Sequence, residues 1–497
     1  MILKYSKFLL ILLSAILMGL AQHPLGLGFL SYIALLPLLS ILSKLRCYRQ
    51  AAKIGLLWGL FYNLTVVYWL AFNIGTSQSI AFFTMILSVI ILSSCSIITF
   101  IIWCSLNRRG CSLILFPAVW ASIEYLRGFG TLGFPWTSIA NTQLEYHLLI
   151  QNAEYTGMYV ISFWIVLLNI SIYKLISDRN TESLAKCLAI FMFPILSGYA
   201  IISSHSENTD TSIRVLSIQP NIHLSEKWSR GSQNRVVTKI INQTTTYLDS
   251  SVDLIIWPET STTSHVLQND KYNYNRIVDM LQNSKASLIA GIPFYERKKE
   301  NIEHYNSVGY FNKEGVIDYY HKIRLVPGAE YVPLSDFISS MSYFNFGLGN
   351  FSHGNDFKLF DINNNKFASL ICMESIFPSL SRKFTAEGAN FLVYVVNDGW
   401  YETAPEPQQH SSRVIYRAIE TRKPVIRCAN TGISMVIDQF GNIQHHIDLN
   451  KEGSIVANIY PNSYKTFYVR YGDIFIYLMI VGIILSMFKS IKYEDYV

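Results

Sequence analysis

The chain has 497 residues, of which 51% are hydrophobic and only 15% are charged. This composition is too apolar for an ordinary soluble protein, and the chain is too long for one hydrophobic core, so a soluble single-domain protein is excluded. The formal net charge of +6 comes largely from Lys and Arg residues beside apolar runs. We therefore expect a membrane with anionic headgroups as a partner, and no nucleic acid.

Eight apolar runs are predicted as membrane spans, because the hydrocarbon core of a bilayer is about 30 Å thick. They lie at residues 6–20, 26–42, 54–72, 80–106, 112–126, 158–176, 184–203 and 471–488. The second and fifth runs give the weakest signal. Glu124 lies near the predicted boundary of the fifth run, and we expect its carboxylate to be solvated.

The distribution of Lys and Arg predicts the orientation of the spans, since these residues are retained on the cytoplasmic side. With a cytoplasmic N-terminus, the inside loops carry pairs such as Arg108 and Arg109, whereas the short outside loops carry only Arg127. This orientation divides the chain into a transmembrane bundle at 1–204, an extracytoplasmic domain at 205–466, and a last span with a short cytoplasmic tail at 467–497. The first run is interpreted as an uncleaved anchor rather than a signal peptide, because further spans follow.

The polar region alternates β-rich runs with helical patterns. Predicted strands are 213–219, 252–257, 287–292, 307–311, 367–372, 391–396, 424–429 and 434–437, and predicted helices are 234–248, 272–283, 378–387 and 409–421. Runs such as Phe391-Leu-Val-Tyr-Val-Val396 are continuously apolar, which is typical of strands covered on both faces. This pattern predicts an α/β layered domain.

Cys372 lies where a predicted strand gives way to a polar turn that carries Glu374. A cysteine at a strand end can present its sulfur to a cleft in a fixed direction, as nucleophilic catalysis requires. A free cysteine is more often a small buried hydrophobe, so this interpretation depends on its partners. Cys428 lies in a separate predicted core strand, and we expect no disulfide between the two.

Two charged residues could be those partners. Glu259 follows Pro258, which ends a predicted strand, and Lys322 precedes a second apolar, strand-like stretch. Each alone is more simply a solvated surface charge. With Cys372 they form a chemically complete set, in which the carboxylate takes the thiol proton and the ammonium stabilises the thiolate and an oxyanion.

The sequence resembles a known superfamily at these residues. The order Trp257-Pro-Glu259, Lys322, Glu330 and Cys372-Met-Glu374 resembles the Glu-Lys-Cys signature of the nitrilase (carbon-nitrogen hydrolase) superfamily. With a multi-span bundle before it and one span after it, the domain resembles the apolipoprotein N-acyltransferase family over essentially the whole chain. Further matching stretches are Gln219-Pro-Asn221, Trp228, Tyr305-Asn-Ser307, Gly133-Phe-Pro-Trp136 and Asn397-Asp-Gly-Trp400.

The resemblance implies a nitrilase-like αββα sandwich on the periplasmic side of a bacterial inner membrane, carried by about eight transmembrane helices. It also implies a ping-pong acyl transfer. The acyl donor would be a membrane phospholipid, typically phosphatidylethanolamine, and the acceptor the α-amine of the N-terminal S-diacylglyceryl-cysteine of an apolipoprotein. Cys372 would carry the acyl group as a thioester, with Glu259 as general base. Lys322 and the main-chain N–H of Met373 would form the oxyanion site.

The resemblance assigns supporting roles to other residues. Glu330 would orient Lys322 or the base, and Glu374 would support the pocket. The residues expected on the substrate side are Trp228, Asn306, Gly133, Trp136 and Trp400. Neither a His-Glu-x-x-His sequence nor a Gly-rich phosphate loop occurs in the chain, and no metal or cofactor is expected.

Two alternatives remain open from the sequence. A membrane-tethered nitrilase-type amidase could use the same three residues, although it would not need eight spans. A transporter with a non-catalytic outer domain predicts paired polar residues within the spans, and the runs contain few of them apart from Glu124.

Overall fold

A computed structural model describes residues 2–205, 211–298, 301–332, 350–403 and 405–489, with side chains from Ser6 onward. Helices α1 to α16, in chain order, are Ile2–Leu20, Leu36–Leu42, Tyr48–Val67, Gln78–Arg108, Phe116–Leu126, Ala153–Thr156, Met158–Asp178, Thr181–Ser204, Leu224–Lys227, Ser232–Tyr247, Lys271–Gln282, Pro378–Ala386, Glu406–Ser412, Val414–Thr421, Phe467–Tyr471 and Ile474–Met487. Strands β1 to β12 are Ile213–Gln219, Leu254–Ile256, Ser287–Arg297, Ile302–Asn312, Gly315–His321, Phe360–Ile362, Asn365–Ile371, Phe391–Val396, Val425–Ala429, Ser434–Ile437, Ile443–Ile447 and Gly453–Ile459.

The chain divides into two compact units. The first, called here the helical unit, comprises Met1–Phe72, Gln78–His205 and Tyr471–Val497. The second, the sheet unit, comprises Ser206–Arg470 together with the short segment Asn73–Ser77.

The helical unit contains the long apolar helices. Among the described residues, four helical segments are long and apolar enough to cross a membrane, at Tyr48–Phe72, Gln78–Arg108, Met158–Asp178 and Thr181–Ser204. Shorter apolar helical segments lie at Ser6–Leu20, Gly28–Leu42, Leu113–Leu126 and Ile474–Met487. The second predicted run is not one continuous helix, because a 3-10 turn at Gly28–Tyr32 precedes α2, which has a proline in its first turn.

The expectation that Glu124 is solvated is wrong. Its side chain is buried in the helical unit and accepts hydrogen bonds from the indole N–H of Trp120 at 3.0 Å and the Ile139 N–H at 2.9 Å. The hydroxyls of Ser162, at 2.6 Å, and of Ser138 also donate to it. Four donors compensate a buried carboxylate for the water it has lost.

The strands of the sheet unit form two sheets of six within the part of the chain that the structure describes. Their orders are β12-β1-β2-β3-β4-β5 and β11-β10-β9-β8-β7-β6. The neighbours β1, β2 and β3 are parallel, as are β7, β8 and β9. Such central strands are buried on both faces, which explains their continuously apolar sequences.

The two sheets pack against each other, with helices outside them. The Cys428 thiol on β9 donates to the Ile218 and Ile256 carbonyls of the other sheet at 3.2 and 3.3 Å. Helices α10 and α11 pack on the first sheet through apolar residues such as Val237 and Ile277, and α12 reaches the second sheet, where Ser381 bonds the Tyr394 hydroxyl. The prediction of an α/β layered domain is confirmed.

Some local predictions differ from the structure. In the described residues 322–332, no strand follows Lys322 directly, and an isolated bridge joins Pro327 to Tyr331. Lys322 instead follows β5 directly. This edge strand, Gly315-Val-Ile-Asp-Tyr-Tyr-His321, mixes exposed and buried residues, and its sequence gave no strand signal. The single helix predicted at 409–421 is two helices, α13 and α14. Cys372 and Cys428 are both unpaired, as predicted.

Candidate active site

The ends of β2 and β5 lie at the same edge of the first sheet. β2 is parallel to β3, and β3, β4 and β5 are successive antiparallel neighbours, so β5 has the direction of β2. Glu259 follows β2, and Lys322 follows β5 directly. Cys372 follows β7 of the second sheet and begins a 3-10 turn at Cys372–Ile376.

Lys322 is shared between two carboxylates. Its Nζ lies 2.8 Å from Glu330 Oε1 and 3.6 Å from Glu259 Oε1. The side-chain amide of Asn306 donates to the same two oxygens, at 2.8 Å and 2.7 Å respectively. All four side chains are buried. Glu259 Oε2 is also buried, and it has no hydrogen-bond partner among the described residues.

Burial and charge together set the protonation states in this cluster. Burial alone would lower the pKa of Lys322, but Glu330 and Glu259 reverse this effect and raise it above the usual value. Burial raises the pKa of Glu259, and Lys322 opposes that rise only in part. Burial and then the charge of Glu259 raise the pKa of the Cys372 thiol well above its usual value. The thiol is therefore protonated at neutral pH and needs a base to become a nucleophile.

Cys372 has an unusual backbone conformation. Its φ is +50°, in the left-handed region that residues with a Cβ rarely occupy. Non-glycine residues in this region concentrate at functional sites, where the surrounding structure holds them in place. The strand end therefore presents the thiol on a constrained turn.

Glu374 holds this turn against the segment that carries Lys322. Its carboxylate accepts the Ile371 N–H at 2.8 Å on one side of Cys372. It also accepts the Ile323 and Arg324 N–H groups at 2.8 and 3.0 Å, and the Tyr320 hydroxyl at 2.8 Å. One fully buried carboxylate thus connects the two loops that carry the thiol and the ammonium.

The other predicted residues of the sheet unit differ in their surroundings. Asn306 belongs to the cluster of Lys322 and the two carboxylates. Met373 is partly buried beside Cys372, and Trp228 is 41% exposed at the end of α9. Trp400 follows β8, the neighbour of β7, and is partly buried. The substrate roles of Trp228 and Trp400 stay predictions.

Trp400 also contacts the segment Asn73–Ser77. The Ile74 N–H donates to the Trp400 carbonyl at 3.0 Å, and the Asn73 amide donates to the Tyr401 hydroxyl at 3.2 Å. A Cβ on Gly75 would lie 2.3 Å from the Trp400 ring, so only glycine fits there. Five residues from between α3 and α4 are therefore built into the sheet unit.

Gly133 and Trp136 belong to the helical unit. Trp136 is fully buried and packs on Trp69 and Phe134, with ring centroids 4.9 and 5.6 Å apart. A Cβ on Gly133 would lie 2.7 Å from the carbonyl oxygen of Gly128. Packing within the helical unit accounts for both residues, and their role toward a substrate stays a prediction.

Two buried groups near the catalytic candidates were not predicted. Lys227, which is 1% exposed, donates from Nζ to the main-chain carbonyl of Glu259 at 3.2 Å. His410 Nε2 lies 3.2 Å from the Cys372 carbonyl. Lys227 is the last residue of α9 and not of a strand, so the rule that pointed to the strand ends does not identify it. His410 lies inside a helix and gave no comparable signal.

The surroundings of His410 have the composition of a metal site. Ligand atoms of Asp398, Glu406 and His410 lie within 4.8 Å of one another. However, Arg427 donates to Asp398 at 2.8 Å and lies 3.2 Å from His410 Nδ1. Although burial would raise the pKa of Asp398, Arg427 and His410 hold it at about 2. The guanidinium already supplies the cation that this cluster requires.

Known protein families match most of the chain. The family described as "Apolipoprotein N-acyltransferase N-terminal domain" matches residues 14–171, and "Carbon-nitrogen hydrolase" matches residues 214–467. The two packed sheets and the second match define the sheet unit as a nitrilase-like carbon-nitrogen hydrolase domain. The chain belongs to the apolipoprotein N-acyltransferase family, which confirms the resemblance seen in the sequence.

Individual relatives match along almost their full length. The apolipoprotein N-acyltransferase of Geobacter metallireducens is 30% identical over 493 residues, covering 96% of this chain and 93% of that protein. That of Rickettsia prowazekii is 29% identical over 508 residues, covering 97% of this chain and 98% of that protein. Among solved structures, a Saccharomyces cerevisiae member of branch 10 of the nitrilase superfamily aligns with a TM-score of 0.39 and 20% identity, covering 52% of this chain and 93% of that one.

Proposed function

We propose that the chain transfers a fatty acyl group from a membrane phospholipid to the α-amine of the N-terminal S-diacylglyceryl-cysteine of apolipoproteins. Its acyltransferase class and its part in lipoprotein N-acylation follow from its family. The observation that carries the mechanism is the buried cluster in which Lys322 joins Glu259 and Glu330. In it, Glu259 Oε2 has no hydrogen-bond partner among the described residues, and the charge of Glu259 acts on the Cys372 thiol.

In the first step, the acyl group moves to the enzyme. Glu259 Oε2 takes the thiol proton, and the Cys372 sulfur attacks the ester carbonyl carbon of the phospholipid. Lys322 and the Met373 N–H stabilise the oxyanion. The ester C–O bond then breaks, the proton on Glu259 passes to the departing alkoxide, and the lysophospholipid leaves a thioester on Cys372.

In the second step, the neutral α-amine of the acceptor attacks the thioester carbon. Glu259 takes one proton from the nitrogen as the C–N bond forms, and Lys322 again stabilises the oxyanion. The C–S bond breaks, the sulfur regains a proton from Glu259, and the product is an amide. Glu259 ends each step in the protonation state in which it began.

The remaining polar residues position Glu259, Lys322 and Cys372. Glu330 orients Lys322, and Asn306 orients Glu259, through the contacts of 2.8 and 2.7 Å described above. Glu374 keeps the Lys322 segment beside the Cys372 turn. The residues assigned to the substrate side are Trp228, Trp400, Gly133 and Trp136.

The proposed setting is a bacterial inner membrane. The eight apolar segments support about eight spans, with a bundle at 1–204 and a last span within 467–497. The Lys and Arg distribution supports cytoplasmic termini and a periplasmic catalytic domain at 205–466. Phosphatidylethanolamine is the proposed donor, and no cofactor takes part.

Intact-mass spectrometry of the membrane-purified protein tests the proposal. Wild type should carry an acyl adduct that disappears when a diacylglyceryl-cysteine peptide is added. Cys372→Ser should remove the thioester. Cys428→Ser should leave it, because Cys428 is a buried thiol of the same unit outside the cluster.

The alternatives predict other results. An amidase would turn over without an amine acceptor and release ammonia or free fatty acid, and a transporter would carry no adduct. An adduct of unchanged mass and lability in Cys372→Ser would contradict the proposed nucleophile.

A further inference from the structure

The main chain adopts a strained conformation at Thr260, directly after Glu259. Thr260 has a φ of +50°, which is rare for any residue with a Cβ and most unfavourable for a β-branched one. Such a conformation persists only where neighbouring groups hold it. The direction of the Glu259 carboxylate therefore depends on what fixes this turn.

Strand β3 fixes the turn from one side. A Cβ on Gly291 would lie 2.5 Å from Glu259 Cα and 2.6 Å from the Pro258 carbonyl oxygen, so the two backbones pack as closely as glycine allows. The Gly291 N–H donates to the Pro258 carbonyl at 3.2 Å, and Ser261 N–H donates to the Gly291 carbonyl at 2.8 Å.

Lys227 fixes the turn through another contact. Its Nζ donates to the Glu259 main-chain carbonyl at 3.2 Å, on the peptide that joins Glu259 to Thr260. The main chain of Lys227 is itself held, because the Ser232 hydroxyl donates to the Lys227 carbonyl at 2.6 Å. The main chain that carries the ammonium is therefore fixed in place.

Burying the Lys227 side chain at this position costs folding free energy. No carboxylate of the described residues lies within ion-pair distance of its Nζ, and burial lowers its pKa to about 8. A buried ammonium without a paired anion opposes folding. A neutral side chain would avoid that cost, and this points to a role in the site.

We propose that Lys227 is a positioning residue for acyl transfer, which holds the Glu259 main-chain carbonyl across the strained turn and so aims the carboxylate at the Cys372 thiol. Its positive charge also favours the ionised form of that carboxylate. The charged and titratable groups that face Glu259 are Lys322, Glu330, Lys227 and Cys372. The proposal rests on the proposed function of Glu259 as the general base.

The test compares Lys227→Met with Lys423→Met in the full-length, membrane-purified protein. Lys423 is also buried, and it donates to the main-chain carbonyls of Asn462 and Tyr464. Burial lowers its pKa to about 7. It precedes β9, which is parallel to β7 and β8, and so lies at the opposite end of the strands from Cys372. It is therefore a matched buried lysine outside the site.

The first readout is the rate of acyl-adduct formation on Cys372 from phosphatidylethanolamine vesicles, measured by intact mass between about pH 5 and pH 9. Lys227→Met should slow this rate about 10- to 100-fold, because small errors in the position of a base are costly. The acidic limb of its pH profile should move to higher pH, since Glu259 loses a nearby positive charge. Lys423→Met should change neither.

The second readout is the melting temperature. The pKa of Lys227 falls from 10.5 to about 8 on folding, so the unfolded chain binds more protons between these values and stability rises with pH there. Below about pH 8 the full cost of the buried charge applies. Lys227→Met should therefore melt no lower than wild type at neutral pH while it transfers more slowly.

The outcomes separate this proposal from the one on which it rests. If wild type forms no adduct on Cys372, the proposed function fails. If wild type forms the adduct and Lys227→Met matches the wild-type rate and acidic limb, only the role of Lys227 is overturned. That role is also overturned if both variants form the adduct more slowly in proportion to a lower melting temperature. Should Lys227→Met not accumulate, the acidic limb of Lys227→Gln provides the same test.

Discussion

Glu124 of the helical unit and Glu259 of the sheet unit are both buried, and their carboxylates differ in how many hydrogen bonds they accept. Glu124 of the helical unit receives four hydrogen bonds, and both of its oxygens are used. Glu259 of the sheet unit receives one hydrogen bond and a shared lysine on Oε1, while Oε2 is left without a partner among the described residues. A fully bonded carboxylate stabilises its surroundings, whereas one with a free oxygen can accept a proton.

The largest expected effect comes from making the same change in both glutamates. Glu259→Gln should slow adduct formation on Cys372 by about 100- to 10,000-fold, because it removes the proposed general base without changing the shape of the side chain. Glu124→Gln should leave the rate per folded molecule unchanged. Single-turnover intact-mass measurements compare the two, and equal rate losses would remove the distinction between them.

The pH dependence of adduct formation in the wild type reports the protonation of Glu259. Burial raises the pKa of Glu259 above 4.5, so the carboxylate of this proposed base becomes protonated at a higher pH than an ordinary glutamate does. The rate of adduct formation should therefore decrease on acidification with a midpoint above pH 4.5. A midpoint at or below that value would mean that another group limits the rate.

Asn306 should have a smaller effect. Asn306→Leu removes one hydrogen bond to each of two carboxylates. Only the bond to Glu259 acts on the proposed base, and a bond to a charged group contributes about 1.5 kcal/mol, or roughly tenfold in rate. Asn273→Leu is the matched control, because Asn273 is a buried amide that bonds Asp270 and Asn234 instead. The control should lower the melting temperature without a specific loss of rate. A rate loss in Asn273→Leu as large as that in Asn306→Leu would contradict the role of Asn306.

The smallest expected effect is on stability alone. Glu124→Gln replaces one acceptor oxygen by an N–H₂ group that faces the donors of Trp120, Ser138, Ser162 or Ile139. The mismatch should lower the free energy of unfolding by about 1–3 kcal/mol and the melting temperature by a few degrees. A thermal melt of the purified protein measures it, and an unchanged melting temperature would show that these bonds contribute little.

The sequence predicted the strand ends better than the contacts between them. Glu259 and Cys372 each follow an apolar strand, and this local pattern is enough to predict them. Lys322 was predicted beside the wrong strand, because β5 is an edge strand whose exposed and buried residues do not alternate, so its sequence gave no strand signal.

The missed features depend on partners far along the chain. Glu124 is compensated by serines 14 and 38 residues away. Lys227, in the polar stretch Ser225-Glu-Lys, looks like a surface residue until the Glu259 carbonyl, 32 residues later, is placed against it. Pattern and spacing carry no information on such pairs.

The segment Asn73–Ser77 has a practical consequence for dissecting this protein. A soluble fragment that starts at residue 206 would lack five residues that belong to its own fold. The Trp400 carbonyl and the Tyr401 hydroxyl would each lose a hydrogen bond, and the indole would lose the glycine backbone against which it lies. Expression of the sheet unit alone therefore calls for a grafted copy of this pentapeptide.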